Sequence, residues 1–184
     1  AAIADRYGAE LRLTRFRPSG RGADTWHELR PTQEQQYDLY RWLLDRPNVL
    51  IKVPGTPAGI EAVEQLIAEG LNINITLLFD VDVYVRVAHA YIAGLQRRLE
   101  RGLPVGNIAS VASFFVSRVD TEVDKRLEAI GSEEALSLRG RAGVANAQLA
   151  YQAFEEVYST PRWQNLADDG AHVQRPLWAS TGVK

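Results

Sequence analysis

A single lysine, Lys52, interrupts the apolar run Val49-Leu50-Ile51-Lys52-Val53-Pro54. The run is short, β-branched and closed by Pro54-Gly55, which is the pattern of a buried strand in a parallel sheet. Alternation puts Val49, Ile51 and Val53 on one face and Leu50 with Lys52 on the other. Burial disfavours an ammonium and lowers its pKa. A neutral amine attacks carbonyls and can form a Schiff base. The same run also suits a lysine at a strand end whose stem crosses apolar surface to reach water. Asn74 and Thr76, two residues apart, share a strand face with Asn72, while Leu71, Ile73, Ile75 and Leu77 occupy the opposite face. A polar face opposite an apolar one suits a barrel strand that lines a polar site, and equally a half-exposed strand with its polar residues in water. Ser113 and Arg118 flank the expected end of a later strand. Arginine fits a phosphate through its planar fork of donors, although one of eighteen arginines is also an ordinary surface group. Ser180 closes the last expected strand, with Lys184 four residues beyond at the terminus.

These side chains need strands to hold them, and strand and helix patterns alternate along the chain as in a parallel α/β sheet. The expected order begins with a strand at Leu11–Phe16 and a Gly/Ser-rich turn. A helix follows from Thr32 to Leu44, with Thr32 as N-cap and Gln35 completing a capping box. The Lys52 strand comes next, then a helix over Pro57–Glu69 ended by Gly70. Further strands are expected at Asn72–Leu77, Ile108–Ala112 and Pro176–Ser180. Between them fall helices from Asp80 to about Arg101, Thr121 to Ile130, Gly143 to Tyr158, and a short one over Pro161–Ala167. About five parallel strands fall short of the eight of a closed (β/α)8 barrel, which typically needs about 250 residues. The expected fold is therefore a partial TIM-type barrel in a single α/β domain spanning 1–184. Its unpaired edge strands invite self-association.

Composition narrows the chemistry. A net charge of −2 with no block of like charge implies neither nucleic acid nor an anionic membrane as partner. With no cysteine there are no disulfides, thiolate nucleophiles or cysteine-held clusters. The three histidines have no metal-ligand spacing, and neither a metal nor a cofactor is suggested by the sequence. No signal-peptide pattern or membrane-length apolar stretch is present, and the expected location is the cytoplasm. The chain contains no methionine and its last expected strand lies close to Lys184, which reads as a fragment.

From Arg46 onward the chain closely resembles the transaldolase family. The stretches that carry the resemblance are Arg46 to Thr56, Gly70 to Phe79, Ala109 to Asp120 and Gln174 to Lys184, in that order. The resemblance implies a barrel fold and the transfer of a dihydroxyacetone unit between sugar phosphates, a pentose phosphate pathway reaction. It implies that Lys52 forms the Schiff base with the ketose donor and that Thr76 orients the water that relays protons. It further implies that Asn74 and Ser113 contact the donor, and that Arg118 with Ser180 holds the sugar phosphate.

The chain also departs from that family. Residues 1–45 resemble a segment of mycofactocin-type radical-SAM peptide maturases, which suggests a chimera joined near Asp45-Arg46-Pro47. Radical-SAM chemistry itself would need cysteines, and there are none. The family's proton relay uses an aspartate on the first barrel strand and a glutamate on the third. Leu11-Arg12-Leu13-Thr14-Arg15-Phe16, at the place of the third, has no carboxylate. An impaired transaldolase-type enzyme is the leading expectation. An inactive chimera of barrel fragments, engineered or truncated, and a sugar-phosphate binding module are the rivals.

Overall fold

The fold, taken from a computed structural model, is described for residues 30–182. The expected strand at Leu11–Phe16 and the terminal Lys184 lie outside the described residues. The chain divides into two compact units, Ala1–Ile51 and Lys52–Lys184.

In the first unit, helix α1 spans Gln33–Leu44 and starts on the capping box expected from sequence. The Gln35 amide donates to the Thr32 hydroxyl at 3.2 Å, and the Thr32 amide donates to Oε1 of Gln35 at 2.9 Å. Two of the helix's unpaired amino-terminal groups are satisfied in this way.

From Ile51 onward strand and helix alternate: β1 (Ile51–Pro54), α2 (Pro57–Glu69), β2 (Ile73–Leu78), α3 (Val81–Glu100), β3 (Ser110–Phe115), α4 (Val116–Ile130), α5 (Glu133–Ser137), α6 (Ala142–Tyr158), α7 (Pro161–Asp168) and β4 (Arg175–Ala179). The strands form one sheet in the order β1-β2-β3-β4, with parallel β2–β3 and β3–β4 ladders. This is a parallel α/β architecture, the partial TIM-type barrel expected from sequence. Four strands are described; the fifth expected strand is the one outside the described residues.

Local chemistry fixes several boundaries. Pro57 begins α2 behind the Thr56 cap, and Gly70, in the left-handed region at φ 102°, ends it. Asp80 caps α3 by accepting from the Val83 amide at 3.0 Å. The apolar face of β2 is buried, with Ile73, Ile75 and Leu78 fully enclosed. At the strand origins the Gln174 side-chain amide donates to Ser110 Oγ, which donates to the Ile73 carbonyl, both at 2.8 Å. Asn72 belongs to this end as well: its Oδ1 accepts from the Ala109 amide at 2.8 Å. It therefore fixes backbone where the sequence placed it beside Asn74 and Thr76 on one polar surface.

Four expectations are corrected. The third expected strand slips: the register runs Ile75↔Ala112, then Leu78↔Phe114, so β2 contains one extra residue. That residue is Leu77, left-handed at φ 61° and 45% exposed, so Leu78 takes the buried position expected of Leu77. Strand β3 runs to Phe115 where 108–112 was expected, because the aromatic Phe114-Phe115 pair extends the β-favouring run. Helix α4 follows at once from Val116, five residues before the expected start, with no side-chain cap to announce it. The short helix α5, capped by Ser132, was not expected.

Candidate functional site

The carboxyl ends of β1, β2, β3 and β4 bring together most of the residues singled out by sequence. Ser113 sits inside β3, 2% exposed, and its hydroxyl donates to Asn74 Oδ1 at 2.8 Å. Register explains the meeting: Asn74 pairs with Val111, and Ser113 is the next residue on the same face of β3. Thr76, the next polar residue of β2, is buried, and its Oγ1 has no hydrogen-bond partner among the described residues. Its carbonyl accepts from the Gly55 amide at 2.9 Å, tying the end of β1 to β2 directly before the bulge. A Cβ on Gly55 would stand 2.6 Å from Leu78 Cδ2, so the glycine after Pro54 makes the room that the shifted Leu78 occupies.

Of the two placements its strand allows, Lys52 takes the second: it is exposed, not buried. It lies on the outermost described strand, with a neighbouring strand on one side only, so its ammonium reaches water. The alternation itself holds, since Val53 is buried beside it.

Arg118 falls in the first turn of α4, where a cation opposes the positive end of the helix dipole. Its guanidinium lies 4.4 Å from the centre of the Phe115 ring and has no acidic partner among the described residues. A cation beside helix amides is a setting that favours an anion. Ser180, also left-handed at φ 54°, follows β4 and meets the same turn. The Ser117 amide donates to the Ser180 carbonyl at 2.8 Å, and the two hydroxyls lie 2.7 Å apart.

Sequence reasoning missed Ser117, whose only signal was its place next to Arg118. It also missed Asp120 and Asn146. Asp120 Oδ1 accepts from the Gly143 amide at 2.7 Å, where a Cβ would stand 2.6 Å from the Val116 carbonyl. The Asn146 side-chain amide donates to the Phe79 carbonyl at 2.8 Å. No local spacing reveals pairs so far apart in sequence.

A parallel α/β sheet that carries an amide, two hydroxyls, a lysine and an arginine with no acidic partner among the described residues at or near its strand ends has the layout of a barrel-derived class of fold. Comparison gives the class its name. Residues 27–184 match the family model for transaldolase/fructose-6-phosphate aldolase, and the chain belongs to that family. The match begins upstream of the junction expected near 45–47. A transaldolase of Mycolicibacterium smegmatis is 56% identical over 158 residues, covering 86% of this chain and 42% of the relative. Transaldolase 2 of Streptomyces coelicolor is 57% identical over 143 residues, covering 78% of this chain and 38% of the relative. The chain thus spans less than half the length of these relatives. No helix among the described residues is long and apolar enough to cross a membrane.

Proposed function

We propose that this chain carries the Schiff-base portion of a transaldolase-type site and acts on sugar phosphates. Lys52 Nζ adds to the carbonyl of a ketose phosphate, water leaves, and an imine forms. The bond between the carbons α and β to the imine carbon then breaks: the β-hydroxyl gives its proton to water and becomes the carbonyl of a departing aldose phosphate, and the bonding electrons pass to the protonated imine as an enamine. A dihydroxyacetone unit remains on Lys52 for an aldose phosphate acceptor. Asn74 and Ser113, already hydrogen-bonded to each other, bind the donor hydroxyls. Thr76 holds a proton-carrying water, and Arg118 with Ser180 takes the phosphate. The observation that carries this reading is the buried Thr76 hydroxyl, which has no hydrogen-bond partner among the described residues, next to the Asn74–Ser113 pair. A buried hydroxyl without a partner costs free energy, and function is a reason to retain it.

The same proposal has turnover slow. Proton transfer by a positioned group is worth about 10²–10⁴-fold, and the segment at the place of the family's glutamate strand has no carboxylate. It also takes the residues before the family match as sequence of separate origin, and the open edge at β4 as a surface for self-association. The exposure of Lys52 favours one alternative, a sugar-phosphate binding module without covalent chemistry. Borohydride trapping decides between them. The protein is incubated with fructose 6-phosphate or dihydroxyacetone, reduced, and mapped by mass spectrometry beside Lys52→Met. A substrate-dependent adduct on Lys52 alone is expected. No adduct, or equal labelling of Lys125 and Lys184, would sink the Schiff-base reading.

A further inference from the structure

Arg118 is exposed and has no acidic partner among the described residues, yet its guanidinium has a defined seat on the Phe115 ring. That ring leans in turn on Phe79, with centroids 6.0 Å apart and planes tilted by 35°. Phe79 lies in the turn between β2 and α3 and is 40% exposed, so burial alone does not fix it. Its carbonyl is held instead by Asn146 on α6, 67 residues away. The same helix grips α4, because the Gly143 amide donates to Asp120 one turn before Asn146. Helix α6 thereby anchors both sides of the arginine's platform: the helix that bears Arg118 and the turn that bears Phe79.

We infer that Asn146 is a positioning residue for Arg118. By fixing the Phe79 carbonyl it holds the Phe79–Phe115 pair as an aromatic shelf, and the shelf sets the direction in which the guanidinium meets a phosphate. A cation over a ring face is attracted by the ring quadrupole, so moving the ring moves the cation. The inference rests on the phosphate reading of Arg118 given above. It concerns orientation only, and Asn146 itself touches no substrate.

The test uses the full chain with Asn146→Asp, which keeps the shape and removes the donor, and Asn146→Ala. The first readout is the ring-current shift of the Arg118 side-chain protons by NMR, which needs no ligand. It is expected to collapse in both variants while resonances of the sheet core stay in place. The second is the dissociation constant for fructose 6-phosphate against fructose, with Arg118→Ala as reference. Both Asn146 variants are expected to weaken the phosphorylated sugar roughly three- to tenfold, the scale of one net hydrogen bond, and to leave fructose unchanged. An unmoved Arg118 ring-current shift in both variants overturns the inference. So does a collapsed shift with unchanged fructose 6-phosphate affinity while Arg118→Ala weakens it. If Arg118→Ala binds like the parent protein, the phosphate reading fails, and the positioning role fails with it.

Discussion

Thr76 shows how much one side chain can be asked to do. Ile75 before it is enclosed and its own backbone carbonyl is paired, yet its buried hydroxyl has no hydrogen-bond partner among the described residues. Replacing it with valine keeps the branched shape and removes the unpaired group. Thr76→Val is therefore expected to raise stability by about 1 kcal/mol, read as a higher urea midpoint at unchanged slope. The same variant is expected to slow substrate-dependent adduct formation on Lys52 in the trapping assay. A stabilised variant with undiminished adduct formation would remove Thr76 from the proposed site. At this scale the sequence was informative where a motif put residues on one strand, as with Asn74 and Thr76. It was silent on Ser117, Asp120 and Asn146, because each acts through a partner that only the fold brings near.

Among the elements, β2 departs most from its sequence pattern. Clean alternation assigned Leu77 to the core, but the register gains a residue and Leu78 goes there instead. A left-handed leucine costs about 1–2 kcal/mol, and the hydrogen bond from Gly55 to Thr76 with the burial of Leu78 maintains it. Leu77→Gly is expected to leave stability unchanged or raise it by up to about 1 kcal/mol, whereas Leu78→Ala costs about 2–5 kcal/mol. Chemical denaturation of the two variants checks the order, and the reverse order would restore the simple alternation. The α2–α3 contact gives a second case. A Cβ on Gly94 would stand 2.7 Å from the Glu64 carbonyl and 2.8 Å from Ile67 Cβ. Gly94→Ala is expected to destabilise by about 1–3 kcal/mol through overpacking, with Gly102→Ala as a control that meets no neighbouring atom but has φ of 69°. The helices were legible because caps and terminators are local: Thr32 with Gln35, Pro57, Gly70, Asp80 and Gly131 all stand where the sequence put them. The start of α4 was not, because its first residue follows Phe115 with no side-chain cap.

Across the whole molecule, three of seven tyrosines share one buried region. Burial pushes the Tyr84 and Tyr91 phenols up, and burial followed by the neighbouring Tyr84 and Tyr91 pushes Tyr158 up. The Tyr91 hydroxyl also donates to the His172 carbonyl at 2.7 Å. Above the ordinary tyrosine pKa of about 10 the unfolded chain sheds these protons and the folded chain keeps them. Stability is therefore expected to be intact below about pH 10 and to fall as pH rises beyond it. Phenolate absorbance should show these three ionising only as the protein unfolds; early titration of all seven would contradict the packing. Self-association belongs to this scale too. Strand β4 ends the described sheet, with Leu177 39% and Trp178 38% exposed. Leu177→Lys is expected to reduce any concentration-dependent association seen by light scattering, since charge on an edge strand opposes pairing.

The amino-acid sequence by itself determined the alternation of strand and helix, the caps that bound the helices, and the family to which residues 27–184 belong. Each of these is written within a few residues or in an ordered run of motifs, so short-range chemistry suffices to read it. Only the tertiary structure decided that Lys52 stands open to water, that Leu78 replaces Leu77 in the core, and that Asn146 reaches the turn beneath the arginine's platform. Those facts depend on which strands are neighbours and how their registers align, and no window along the chain contains that information.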